Sequence, residues 1–172
     1  MKRLLTVSGS LRAGSSNSTL LEAASRLVPP DVVVSAFTDL AAIPAFSPDL
    51  EEDPSRAPEA VASWRHALTT ADAILFSSPE YAHGIPGAFK NALDWVVGSG
   101  ELVDKPVGVL SASASSQFAH PQIIEVLTTM NAAVVSEATI VIDLPRRGLD
   151  AERLIEDTAI ATRIRAAVAA LV

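Results

Sequence analysis

The sequence predicts an α/β fold: a three-layer sandwich in which a five-stranded parallel sheet lies between two layers of helices. Short apolar runs alternate with helical patterns along the chain, and that alternation implies parallel pairing through right-handed crossovers. Runs such as Ala73-Ile74-Leu75-Phe76 and Val107-Gly108-Val109-Leu110 are apolar on both faces, as strands are when helices cover both sides of the sheet. The length of 172 residues suits a single domain spanning 1–172 with one core. Hydrophobic residues make up 49% but aromatics only 5%, so the core is built from Ala, Val, Leu and Ile, and an aromatic residue outside an apolar run is informative.

In chain order, the first strand is expected over 3–8. A polar loop follows from Gly9, and a helix begins at about Ser18 or Thr19 and runs to Leu27. The second strand is expected over 32–37. The stretch 43–58 combines Pro44, Pro48, Pro54 and Pro58 with Asp49, Glu51, Glu52 and Asp53, which reads as an ordered surface loop at a subunit contact. Then come a helix over 58–70, a strand over 73–78 and a second polar loop. A helix over 86–97 has Pro86 as an early residue. A strand over 106–111, a helix over 122–130, a strand over 138–143, a Pro-rich loop over 143–148 and a helix over 150–171 complete the chain. Five strands suit the flavodoxin-like order 2-1-3-4-5 better than the six-stranded dinucleotide arrangement, although periodicity alone does not choose it.

Composition excludes several functions. The formal net charge of -7 and a pI near 4.9 argue against broad nucleic-acid binding, which needs a basic surface to displace counterions from phosphates. The chain has no cysteine, so it forms no disulfide, thiolate nucleophile or zinc-thiolate site; this suits a reducing cytoplasm. The run Leu4–Ser8 is too short for a signal peptide, and no apolar stretch approaches the ~20 residues of a membrane helix, so a soluble, cytoplasmic protein is expected. His66, His83 and His120 show no metal-ligand spacing, and no metal is expected. No Gly-x-Ser-x-Gly elbow or recognisable carboxylate pair appears. No catalytic side chain is expected: the reactive group is a cofactor.

Two polar loops follow strands, and loops at the carboxyl ends of strands are where open α/β sheets bind ligands. In Gly9-Ser10-Leu11-Arg12-Ala13-Gly14-Ser15-Ser16-Asn17-Ser18-Thr19, hydroxyls precede a helix whose free N–H groups and partial positive charge suit a phosphate, and Arg12 adds a full charge. The same residues also serve as ordinary helix caps. The loop lacks both Gly-x-Gly-x-x-Gly and Gly-Lys-Ser/Thr, so a terminal monophosphate, as on FMN, fits better than ATP or a pyrophosphate. The second loop, Ser78 to Gly87, holds Pro79-Glu80-Tyr81, with the chain's one tyrosine, and the Gly84-Ile85-Pro86-Gly87 turn; it suits the edge and face of a flat ring. The alternative is a turn whose Tyr81 packs on the next helix. Of the histidines, only His83 sits in a candidate site. Trp95 is expected in the core or at a subunit interface.

The segments Gly-Ser-Leu-Arg-x-x-Ser-x-Asn at 9–17 and Pro-Glu-Tyr-x-x-x-Ile-Pro-Gly-x-x-Lys-Asn-x-x-Asp-Trp at 79–95 resemble the NADPH-dependent FMN reductase family, which includes quinone, chromate and azo-dye reductases. The resemblance covers about residues 1–135. It implies that Ser10, Arg12, Ser15, Ser16, Asn17 and Ser18 hold the FMN phosphate and that Pro79, Glu80, Tyr81 and Ala82 border the isoalloxazine, chiefly through backbone groups. A third loop completes the flavin site in the family. Here it reads Ser111-Ala112-Ser113-Ala114-Ser115-Ser116-Gln117-Phe118 where many relatives are glycine-rich, with Ser113 as a hydrogen-bond donor. The implied activity is a ping-pong transfer of electrons from NADPH or NADH through bound FMN to a quinone-like small-molecule acceptor. A homodimer or homotetramer is implied, with Trp95, Val96, Val97 and the acidic loop as contact candidates. The alternative is a non-catalytic flavin-binding or interaction module on the same fold.

Overall fold

The computed structural model describes residues 1–51, 57–144 and 150–172. Its strands are β1 (Lys2–Ser8), β2 (Val32–Phe37), β3 (Ala73–Ser77), β4 (Pro106–Ser111), β5 (Ala133–Val134) and β6 (Ile140–Val141). They form one sheet in the order β2-β1-β3-β4-β5, with β6 also on β4, and every pairing is parallel. The helices are α1 (Ser16–Arg26), α2 (Pro48–Glu51), α3 (Glu59–Thr70), α4 (Gly87–Asp94), α5 (Ala119–Thr129), α6 (Ala151–Glu156) and α7 (Thr158–Leu171), with a 3-10 turn at Leu40–Ala42.

The doubly apolar strands have the predicted cause. Leu5, Val7, Ile74 and Phe76 face one core with Trp64 of α3 and Phe89 of α4. Their neighbours Leu4 and Leu75 face the other, with Leu20 of α1, Leu154 of α6 and Ile164 of α7. Successive strand residues point to opposite faces, so a sheet covered on both sides needs apolar residues at consecutive positions.

The expected fifth strand over 138–143 is instead two short pieces on the same edge of β4, separated by a 3-10 turn at Ser136–Ala138. The detour has a steric cause. Ala138 is fully buried against Gly108 of β4, where a Cβ on the glycine would lie only 2.8 Å from the Ala138 Cβ. The expected helix over 150–171 is likewise two helices. Asp157, with φ -71 and ψ 104, ends α6, and its carboxylate accepts from the N–H groups of Ala159 and Ile160 to cap α7. Helices α1 and α5 begin earlier than expected, at Ser16 and Ala119, and α4 stops at Asp94 with Pro86 as its N-cap. Of the two Pro-rich stretches, Glu52, Asp53, Pro54 and residues 145–149 lie outside the described residues.

The Lys-Asn-x-x-Asp-Trp end of the long motif is a structural clamp. The Asn91 side chain accepts from the Phe46 N–H at 2.8 Å and donates to the carbonyls of Pro44 at 2.8 Å and Ile43 at 3.4 Å. The Trp95 indole also donates to the Pro44 carbonyl, and its ring meets Phe46 edge-on. Lys90 pairs with Asp94 one turn on. Trp95 and Val96 are buried in the chain's own core, which removes both as subunit contacts; Val97 is exposed. Asn91→Ala should therefore lower unfolding stability by about 2–3 kcal/mol, at roughly 1 kcal/mol per hydrogen bond. A reduced denaturant midpoint at unchanged m-value would show it.

Candidate functional site

The loops leaving β1, β3 and β4 meet at the carboxyl edge of the sheet. Gly9 makes the first junction. Its N–H donates to the Ser77 carbonyl at 2.8 Å, and a Cβ there would fall 2.5 Å from the Ser78 hydroxyl oxygen and 2.9 Å from the Phe89 ring. Asn17 makes the second: its Oδ1 accepts from the buried Ser77 hydroxyl at 2.9 Å. Between the loops lies a cleft of about 200 Å³ lined by Ser16, Asn17, Ser78, Pro79, Glu80, Ser111, Ala112, Ser113, Ser115, Ser116 and Leu144.

The first loop opens onto the N-terminus of α1. Ser15 caps α1, its hydroxyl accepting from the Ser18 N–H at 3.1 Å, while the Ser15 carbonyl takes the Thr19 N–H. That leaves the N–H groups of Ser16 and Asn17 without an acceptor among the described residues. The first turn carries no acidic side chain. Behind it runs a hydroxyl relay, Ser15 to Ser18 at 2.9 Å and Ser18 to Ser8 at 3.2 Å. Ser8 also accepts from the Ser10 N–H, and Ser10 from the Arg12 N–H. The Arg12 side chain is exposed and makes no hydrogen bond or ion pair among the described residues.

Five of the sequence-selected residues line the cleft: Ser16, Asn17, Pro79, Glu80 and Ser113. Ser10, Arg12, Ser15 and Ser18 belong to the same loop but do not line the cleft, and Tyr81 and Ala82 are exposed outside the lining. The Glu80 side chain turns toward α5. Helix α5 has no side-chain cap of its own at Phe118, and the Glu80 Oε2 supplies it, accepting from the N–H groups of Phe118 at 2.7 Å and Ala119 at 2.9 Å. These backbone bonds, Ala119 first and then Phe118, hold the Glu80 carboxyl below the usual carboxylate range. His66 is exposed on α3, and His120 is half-buried in the first turn of α5, where burial lowers its pKa.

The third loop is closed on itself. Ala114 N–H bonds the Asp143 carboxylate, Ser115 N–H the Ser113 hydroxyl, Ser116 N–H the Ser113 carbonyl and Gln117 N–H the Ser115 carbonyl. With Glu80 on Phe118 and Ala119, every amide from 114 to 119 is taken within the protein. Hydroxyls remain, and one of them is Ser116, whose buried oxygen has no partner and which lines the cleft. Sequence reasoning named Ser113, whose hydroxyl is already shared with Ser115 at 2.8 Å. Only the count of serines pointed to Ser116. Among the described residues no group of His, Asp or Glu is placed to hold a metal, and no helix is long and apolar enough to cross a membrane.

Comparison with known proteins identifies the family and the fold. A family model described as NADPH-dependent FMN reductase matches residues 2–144. An NAD(P)H-dependent FMN reductase of Pseudomonas aeruginosa is 33% identical over 163 residues, covering 91% of this chain and 86% of its own. An NADPH:quinone oxidoreductase of Arabidopsis thaliana is 31% identical, covering 95% and 86%. The solved structure of a flavoenzyme NAD(P)H:(acceptor) oxidoreductase from Paracoccus denitrificans superposes with a TM-score of 0.82 at 23% identity, over 99% of this chain and 97% of that one, which shows a shared fold.

Because the folded Glu80 carboxyl titrates lower than a free one, the tie to α5 is complete above the ordinary carboxylate range and is lost as pH falls through the depressed folded value. Glu80→Ala should lower the thermal midpoint near pH 7 by a few degrees, and more than Glu80→Gln, which keeps one acceptor oxygen. The gap between wild type and Glu80→Ala should close in acid. A thermal-denaturation series against pH measures both.

Proposed function

The chain belongs to the NADPH-dependent FMN reductase family, an enzyme of the FMN reductase and quinone reductase type using FMN and NAD(P)H, and from this premise we propose how its own residues serve that chemistry. The observation that carries the reading is the junction of an open helix N-terminus with a ring-sized cleft between three strand ends.

At the anion end, the free N–H groups of Ser16 and Asn17, the hydroxyl relay behind them and the uncommitted Arg12 match a terminal phosphate. Ser77 holds the Asn17 Oδ1, which leaves the Asn17 amide N–H₂ as the end turned to a ligand. At the ring end, Pro79 and the backbone of Glu80 form one wall and Ser113, Ser115 and Ser116 the other. The orphaned Ser116 hydroxyl fits the polar edge of a flavin, since a buried polar group without a partner is costly. When bound, FMN would supply the redox chemistry that links oxidation of NAD(P)H to reduction of an acceptor, in a ping-pong order. The protein's part is to orient the ring, leave one face reachable and place donors where negative charge develops. The acceptor is a quinone-like small molecule, and the working unit is a homodimer or homotetramer.

The closed third loop favours one other reading, a flavin-binding module that does not turn over. Glycine at both 113 and 115 would then raise FMN affinity and reduction rate together, whereas the reductase reading expects a change of less than about threefold.

Titration of apo-protein should show tight FMN binding and much weaker riboflavin binding. Arg12→Ala should weaken FMN about tenfold, roughly one charge-assisted hydrogen bond, and leave riboflavin unaffected. Without air, NADPH or NADH should bleach the bound flavin and a quinone should restore it; failure of both nucleotides would remove the enzymatic reading.

A further inference from the structure

Beside the cleft, the chain holds an aromatic pair in the open. Tyr81-Ala82-His83-Gly84 is a tight turn, closed by Tyr81 N–H to the Gly84 carbonyl at 2.8 Å and Gly84 N–H to the Tyr81 carbonyl at 3.0 Å. Its two central residues, Ala82 at φ 49 and His83 at φ 58, lie in the left-handed region, where Asn-Gly is the favoured pair. A β-carbon at each position costs conformational free energy, so the sequence places an imidazole where a glycine would be cheaper. That imidazole stacks on Phe118, with ring centroids 4.2 Å apart and planes 23° from parallel. Neither ring is buried: His83 is exposed, and Phe118 keeps 48% of its surface accessible.

The pair does not need to serve as a brace. Loop and helix are already joined by Glu80 on the Phe118 and Ala119 amides and by Gln122, whose Oε1 accepts from the Ile85 N–H at 2.8 Å. These bonds fix Phe118 from below and the turn from behind. Glu80 itself lines the cleft, so the aromatic surface stands at the cleft's edge. The result is a rigid, exposed, flat apolar surface carrying an N–H donor.

We propose that His83 and Phe118 form a docking shelf for the ring of a quinone-type electron acceptor and so help to set acceptor specificity; this rests on the oxidoreductase reading of the adjoining cleft. A quinone offers what the shelf complements: a flat conjugated face to stack and ring-edge carbonyls to accept from an imidazole N–H. A compact inorganic oxidant has no such face and gains nothing from it.

The three histidines make a direct test. In FMN-loaded protein carrying ¹³C-labelled histidine, His83 is assigned by loss of its signal in His83→Ala, and 1,4-naphthoquinone is titrated in; the chain has no cysteine to be alkylated. The shelf requires a saturable shift of the His83 signal while His66, exposed on α3, stays still. No shift at His83, or equal shifts at both, overturns it. In turnover, His83→Ala and Phe118→Ala should each raise KM for naphthoquinone about five- to tenfold, as expected for one lost aromatic contact, with the KM for ferricyanide within about twofold. Loss for both oxidants alike, or for neither, also overturns it. Should NADPH and NADH fail to reduce wild-type flavin, the oxidoreductase reading falls by itself, and the titration, which needs no turnover, still decides the shelf.

Discussion

The site depends on how closely the chain leaving β1 can lie against the chain leaving β3. The two strands are neighbours in register, Ser8 opposite Ser77, and the ladder continues one residue further through Gly9. At that point any side chain would collide with Ser78 and Phe89, so the missing β-carbon lets the loop after β1 descend onto the loop after β3. From there Asn17 reaches Ser77 across 60 residues of sequence, and the helix N-terminus, the ring wall and the serine loop share one opening. A larger residue at position 9 would separate these parts even if every ligand-facing residue were kept.

The electrostatics of the opening run against those of the whole chain. A net charge of -7 would by itself repel a phosphate, yet the carboxylates nearest the cleft are committed. Glu80 accepts two amides of α5 and Asp143 accepts the Ala114 amide. Each places its charge on fixed N–H dipoles, while the first turn of α1 holds no acid and Arg12 stays uncommitted. Carboxylates thus brace the loops, and the first turn of α1 keeps neutral donors with one uncommitted cation in the loop before it.

Much of this was legible in the residues. Consecutive apolar positions announced a sheet covered on both sides, and the Gly/Ser/Asn and Pro-Glu-Tyr segments marked the loops that meet. The misses share a cause: they depend on contacts between residues far apart in sequence. Nothing local says that Ala138 will tuck against Gly108 and split the last strand. Nothing local assigns Glu80 to cap a helix 38 residues on. Nothing local ties Asn91 and Trp95 to the carbonyls of residues 43 and 44 in a distant loop. Asp157 was the exception. It is a capping residue in the middle of a helical pattern, and its chemistry alone could have divided α6 from α7.

The serine-rich third loop shows how one segment can satisfy its own backbone and still present polar side chains to a cleft. Backbone amides left open for a ligand must face water until it comes, and an exposed glycine loop is entropically expensive to hold in one shape. Here the amides from 114 to 119 are satisfied internally, and the side-chain hydroxyls are the polar groups left to the cleft. A hydroxyl rotates about one bond and serves as donor or acceptor, so it can change partner without moving the backbone. The Ser113 and Ser115 hydroxyls bond each other, and the Ser116 hydroxyl has no partner among the described residues. Replacing glycine with serine therefore exchanges fixed N–H donors for adjustable ones and keeps the loop rigid.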